Sequence, residues 1–280
     1  MTNTQAAHFR VLEEISQDLS GEPNFPTCLD AATLVRDTLK DPEASLAKVA
    51  RAVSIEPLIA SKILRLANSV HHNPTGKPYT ELGMAISRLG FESVRTISLA
   101  VTLDQMLKTP KLAIFSALSR KAWEHSLQVA AIARVLARRI GHINADEAML
   151  AGLVRDIGVF YLLYRAASHA EYRDNEPLLM ELLKGWHISI GENLLQALGL
   201  PERIIQAIRA PQDLINTEDP CNLHDLLYFA DLLADNEMPW DADSIIEQDA
   251  EIRAADRARY ADLLEEAGDD IRELYVALSA

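Results

Sequence analysis

The chain has little of what would make it a secreted, membrane-spanning or β-rich protein. Its only cysteines among 280 residues are Cys28 and Cys221, too few for a disulfide framework or a thiolate zinc site, so they read as small buried hydrophobes. No stretch approaches the ~18–20 apolar residues of a membrane span, and Met1 to Arg10 has no basic patch followed by an apolar run. A cytoplasmic location is therefore expected. Aromatic residues make up only 6% of the chain and alternating β-branched runs are few, which favours helices over sheets.

Basic residues are scarce in one place. Residues 211–280 hold four Arg against 19 Asp and Glu, while residues 1–210 hold 22 acidic against 23 basic side chains. The net charge of −14 thus resides in the last quarter. An acidic surface repels phosphate backbones, so no direct nucleic-acid partner is expected, nor a membrane; a basic protein partner or an internal basic face stays open. The plainer reading is a solvated acidic helical tail. Elsewhere, 49% hydrophobic and 24% charged residues suit a folded chain able to bury one large core or two smaller ones.

Apolar spacing predicts a helix from about Gln5 to Leu19, ended by Gly21, and another near Cys28–Leu39, broken at Asp41-Pro42. Ser45 is a candidate N-cap, and Pro57 suits the first turn of a second short helix whose stripe is Ile59, Ile63, Leu66 and Ala67. A loop follows to Tyr79, then helix from near Thr80 to Gly90. Phe91–Leu107 and Leu112–Ile140 read as long amphipathic helices, the second stopped by Gly141. Asn144 with Glu147 resembles a capping box opening one helix to about Tyr164. Further helices are expected near Pro177–Lys184, His187–Leu198, Pro201–Arg209, Asn222–Asp235, Asp256–Glu265 and Asp269–Leu278, with Asp241–Glu251 ambiguous. The fold class is all-α, with roughly a dozen helices.

Three clusters then carry a resemblance: Phe25-Pro26, Leu66-Ala67-Asn68-Ser69 and Ala85-Ile86-Ser87-Arg88-Leu89-Gly90. In order and spacing they resemble the HDOD family, over about residues 23–212. The resemblance implies a multi-helix bundle of two helical lobes, 23–110 and a degenerate HD-like lobe 111–212, after an N-terminal helix in 1–22. It leaves 213–280 as an acidic helical extension, expected to pack on the HD-like lobe. Read from the residues alone, Asn68, Ser69 and Gly90 suit helix ends.

The second lobe resembles the HD superfamily, whose active members hold a divalent metal with a His, a His-Asp doublet and a later Asp, and use it to polarise a phosphoryl oxygen and generate hydroxide. On that resemblance His125 takes the first position, Arg155-Asp156 the doublet and Asp231 the last. Three positions match. At the fourth, a guanidinium offers only hydrogen-bond donors and a permanent positive charge, so it cannot ligate a metal. Arg155 is expected to fill the place of the missing cation and pair with Asp231; Asp156 is the less favoured partner, because adjacent helix residues point apart. As core residues, His125 shares an apolar face with Val129, Ile132 and Leu136, and Asp156 one with Met149, Leu153 and Phe160. His187 fits a further His of the family, but Ala210-Pro211 stands where a His pair often does, and no GYP signature is present. His224-Asp225 is a literal His-Asp doublet out of order, read as helix-start chemistry.

The resemblance implies a non-catalytic regulatory module in bacterial signal transduction, with no cofactor. Its expected partners are signalling proteins such as kinases, response regulators or cyclic-nucleotide enzymes. Two other readings stay open. His125, Asp156, Asp231 and His187 could assemble a reduced site for a divalent metal and hydrolyse phosphate esters. Alternatively, Arg155 could contact a phosphate-containing small ligand, a nucleotide or cyclic dinucleotide, without turnover.

Overall fold

The computed structural model describes residues 3–19, 30–69, 72–73, 76–140, 142–209, 220–235, 238–240, 254–255 and 257–278. The expectations for Gly21, Phe25-Pro26, Cys28, Gly141, Ala210-Pro211, Asp241–Glu251 and Asp256 lie outside these residues.

The described residues form helices and contain no strand. In chain order these are α1 (Asn3–Leu19), α2 (Asp30–Lys40), α3 (Leu46–Ser54), α4 (Pro57–Ala67), α5 (Leu82–Leu89), α6 (Phe91–Leu107), a 3₁₀ helix (Pro110–Phe115), α7 (Ser116–Ile140), α8 (Ala145–Val154), α9 (Ile157–Ala166), α10 (Ala170–Arg173), α11 (Glu176–Ala197), α12 (Glu202–Ala207), α13 (Leu223–Leu233) and α14 (Ala261–Leu278). They fall into two compact units. One comprises Met1–Asn24 with Leu107–Gly268, the other Phe25–Met106 with Asp269–Ala280.

In the second unit α3, α4 and α5 pack on one another and α2 on α3. Ser45 caps α3 through its hydroxyl, which accepts from the Lys48 amide at 3.2 Å, and Pro57 opens α4 where its missing N–H costs nothing. Gly90, at φ 81°, lets α5 stop and α6 begin one residue later. Asn68 does more than end α4. Its amide donates to the carbonyls of Leu64 and Tyr79, both at 2.8 Å, and its oxygen accepts from the Tyr79 amide at 2.7 Å. One side chain thus satisfies both backbone groups of Tyr79, which pins the loop before α5.

The first unit is organised round α7, against which α8 packs most extensively, followed by α13. The approach of α7 to α8 depends on Gly152: a Cβ there would stand 2.7 Å from the Ala130 Cα. Gly158 plays the same part for α9 and α11, because its Cβ would collide with the His187 carbonyl and lie 2.8 Å from the Gly191 nitrogen. The Trp186-to-Gly191 stretch therefore has a packing role whatever its chemistry.

Four boundaries differ from expectation, the first being the run expected from Leu112, which is 3₁₀ to Phe115 and α-helical only from Ser116. The helix predicted from Asn144 to Tyr164 is broken at Arg155-Asp156, where Asp156 has φ −95° and ψ 18° and stands at the N-cap of α9. The segment 176–197 is one helix, because its buried stripe of Leu179, Leu182, Leu183, His187, Ile190 and Leu194 runs past Gly185 without a phase change. Likewise 261–278 is continuous. Asn144 caps α8 through the amides of Asp146 and Glu147, at 2.9 and 3.0 Å, but Glu147 turns away to pair with Arg203 and does not close a capping box.

Helix α1 packs on α9 and α11 through a narrow stripe, with only Ala7, Val11 and Ile15 fully buried. Burying two branched side chains gives roughly 1.5–3 kcal/mol each. A helix of this length is marginal by itself, and polar contacts with α9, α10 and the α10 N-cap accompany the stripe.

Two glycines should respond oppositely to alanine. Gly158→Ala is expected to lose about 3 kcal/mol or more, since backbone cannot give way cheaply. Gly185→Ala, exposed with open space round its Cα, should gain roughly 0.5–1 kcal/mol. Urea unfolding of both variants measures this; equal effects would refute the close α9–α11 approach.

Candidate functional site

Three elements of the first unit converge on one cluster. Helix α7 carries His125, the joint between α8 and α9 carries Arg155 and Asp156, and α13, which packs on both α7 and α8, carries Asp231. The Gly152 contact three residues before Arg155 brings the joint close to α7. The break in the helix then sets the side-chain directions.

His125 Nε2 donates to Asp231 Oδ1 at 2.9 Å. Arg155 donates through Nη2 to Asp231 Oδ2 at 3.0 Å and through Nη1 to Asp156 Oδ1 at 2.9 Å. The remaining Asp156 oxygen, Oδ2, is 4.0 Å from His125 Nε2. His125 and Asp156 are 2% and 1% exposed and form the floor; the side chains of Arg155 and Asp231, at 19% and 23%, form the rim. Arg155 therefore reaches Asp231, and it also reaches Asp156, the partner less favoured from sequence. Neighbouring residues can pair even within one helix, as Arg36 and Asp37 of α2 do at 2.7 Å; here Arg155 and Asp156 form the joint between α8 and α9.

The electrostatics follow from the geometry. Burial disfavours the charged form of His125 and Arg155 opposes it, but the Asp231 hydrogen bond and the Asp156 and Asp231 charges outweigh both, so its pKa stands above the ordinary value. With His125 protonated the cluster holds two positive and two negative charges. Two buried atoms find no partner among the described residues: His125 Nδ1 and Asp156 Oδ2.

A metal is the group that the likeness to HD proteins implies, and these residues do not fit one. Arg155 presents N–H donors toward both carboxylates and brings a fixed positive charge to within hydrogen-bond distance of each. Among the described residues no three His, Cys, Asp or Glu side chains are grouped so as to hold a metal ion.

The other candidates have contacts of their own. His187 is buried on α11 and its Nδ1 faces the Leu183 carbonyl of its own helix at 2.8 Å. His224-Asp225 belongs to the start of α13. Asn222 Oδ1 accepts from the Asp225 amide at 2.9 Å, Asp225 Oδ2 accepts from the Cys221 amide at 3.1 Å, and His224 Nε2 donates to the Arg209 carbonyl at 3.1 Å. A second charged cluster left no sign in the sequence: Glu14 and Asp18 of α1 meet Arg165 and His169. Its two pairs are 155 and 147 residues apart along the chain, and no local pattern joins them.

A family model described as HDOD domain matches residues 25–214. A search of curated proteins by sequence found no match. Among solved structures, a protein of Shewanella amazonensis SB2B provisionally named a metal-dependent phosphohydrolase is similar with a TM-score of 0.69, at 21% identity over 97% of this chain and 100% of that one. An HDOD domain protein of unknown function from Geobacter sulfurreducens has a TM-score of 0.57, at 20% identity over 95% and 98%. A protein of Marinobacter aquaeolei VT8 provisionally named a signal transduction protein has a TM-score of 0.59, at 19% identity over 99% of this chain and 67% of that one. At such identities the likeness shows a shared helical fold. No helix among the described residues is long and apolar enough to cross a membrane.

The raised pKa of His125 has a definite sign. Its contribution to stability is fully present below the unfolded value of about 6.5 and is lost as pH rises through the folded value. Replacing it by Gln, which keeps a donor, should therefore cost most near about pH 6 and progressively less above the folded pKa. Urea midpoints of the protein and His125→Gln across pH test this, and a pH-independent gap would contradict it.

Proposed function

The chain belongs to the HDOD domain family, and from that premise we propose that it is a non-catalytic regulatory module, acting by binding other proteins rather than by hydrolysing phosphate esters. One observation carries this reading: the Arg155 guanidinium bridges Asp156 and Asp231, so both carboxylates are already paired with cations. A divalent ion would have to enter against Arg155 and displace two charge-assisted hydrogen bonds. The residues that would hold the metal are engaged with one another, which weighs against a hydrolytic step at this site.

The phosphohydrolase name carried by the Shewanella amazonensis neighbour supports the competing reading only through the fold, and the residue at 155 weighs against carrying it over. The reading as a nucleotide or cyclic-dinucleotide receptor is weakened by the same contacts, since two guanidinium nitrogens that a phosphate would use already serve carboxylates. The signalling role named for the Marinobacter aquaeolei relative accords with an interaction module. Kinases, response regulators or cyclic-nucleotide enzymes remain the partner classes proposed, in the cytoplasm.

Elemental analysis of protein purified without chelator and without a metal-affinity step should find Fe, Mn, Ni, Co, Mg and Zn well below one ion per chain, whereas Arg155→His should gain metal. About one ion per natural chain would overturn the reading. Arg155→Ala should also lose roughly 3 kcal/mol of unfolding free energy, because it leaves two carboxylates without their shared cation.

A further inference from the structure

Helix α1 is held on the first unit in an unusual way. Its apolar stripe, Ala7, Val11 and Ile15, is flanked three positions on by a second row, Arg10, Glu14 and Asp18. Each member of that row has a polar partner on α9, on α10 or at the α10 N-cap. Arg10 pairs with Glu171, Glu14 with His169 at 3.2 Å, and Asp18 with Arg165, while the Tyr161 hydroxyl donates to Asp18 at 2.9 Å. Both rows repeat every four residues, so one helix face carries the whole code.

The receiving face is aromatic, with Lys111 and Arg165 on the side of Glu14 and Asp18, and Glu171 where it meets Arg10. Lys111 lies 3.8 Å from the centroid of the Tyr164 ring, and burial holds its pKa below the ordinary value despite the nearby Glu14 carboxylate. Arg165 stands over Tyr161, 5.5 Å from its ring centroid. The fit of α1 to this face is incomplete. The Tyr172 hydroxyl and Arg165 Nε are buried and find no partner among the described residues, although His8 of α1 stacks on the Tyr172 ring at 6.1 Å. Both orphaned atoms can donate, and burying donors without acceptors is costly. An occupant richer in carboxylates than α1 would satisfy them.

We propose that the face formed by α9, α10 and Lys111 is a docking surface for an acidic amphipathic helix of a partner protein, and that α1 is its exchangeable resident. The partner helix carries apolar residues at i, i+4 and i+8 and carboxylates at i+7 and i+11, with a further acceptor near the position of His8. This rests on the interaction reading above only in taking a protein as the partner. Metal found round Arg155 would remove that reading and leave this surface standing; failure of the titration below would remove this surface alone.

The test uses the full chain and a fluorescein-labelled synthetic peptide of residues 3–19. Saturable binding is expected, weakened about tenfold or more by raised salt or by Glu14→Lys with Asp18→Lys in the peptide. A peptide with His8→Glu should bind several-fold tighter, through the Tyr172 hydroxyl. In the full chain, Arg165→Glu should abolish peptide binding, with slow amide exchange in α7 confirming that the variant is folded. Charge reversal in the peptide reads the same contacts if that variant does not fold. In the unmodified chain α1 amides should exchange faster than those of α7. No binding up to about 1 mM with α1 protected as strongly as α7 would make α1 a fixed part of the core and overturn the proposal. So would binding indifferent to charge, or two copies exchanging α1 without binding peptide.

Discussion

A guanidinium shared between two carboxylates dictates how three segments of the first unit must meet. Arg155 and Asp156 pair at the joint where α8 has stopped and α9 has not begun, and Arg155 reaches Asp231 because α13 packs on α7 and α8 beside that joint. His125 completes the set from α7. Charges this buried are tolerated when each is paired, and the pairing takes its members from three separate stretches of the chain. Such a cluster specifies one arrangement of helices more sharply than apolar packing alone would.

That arrangement depends on two glycines. Gly152 lets α8 lie against the backbone of α7, and Gly158 lets α9 lie against α11. The joint at 155–156 sits between these two close approaches, so its position is fixed from both sides. The same packing accounts for His187 and Gly191, whose spacing resembles a chemical motif while their backbone makes the α9 contact.

The two charged clusters of the first unit contrast in kind. Round Arg155 the charges are balanced, and the buried floor of His125 and Asp156 closes the set. Each cluster keeps two buried atoms without a partner among the described residues, but beneath α1 the contacts grow more exposed from Asp18 and Arg165 toward Arg10 and Glu171. The first reads as a locked structural centre. The second reads as a surface whose partner can change.

Helical class and the helix starts at Ser45, Pro57 and Asn144 were legible along the chain, because periodicity and capping chemistry are local properties; the candidate set His125, Arg155, Asp156 and Asp231 came from the resemblance to the HD superfamily, and only the donor-only nature of arginine was read from the residue itself. Where a helix continues or breaks was not legible. Gly185 fails to interrupt α11 because a buried stripe runs past it, while the Arg155-Asp156 joint interrupts a run with no proline at all. The Arg155–Asp231 pair was expected from the sequence, but the second contact of Arg155, with Asp156, and the pairing of Glu14 and Asp18 with His169 and Arg165 were not. Those energies arise between groups brought together by the fold, and only packing determines which charges share a low-dielectric space.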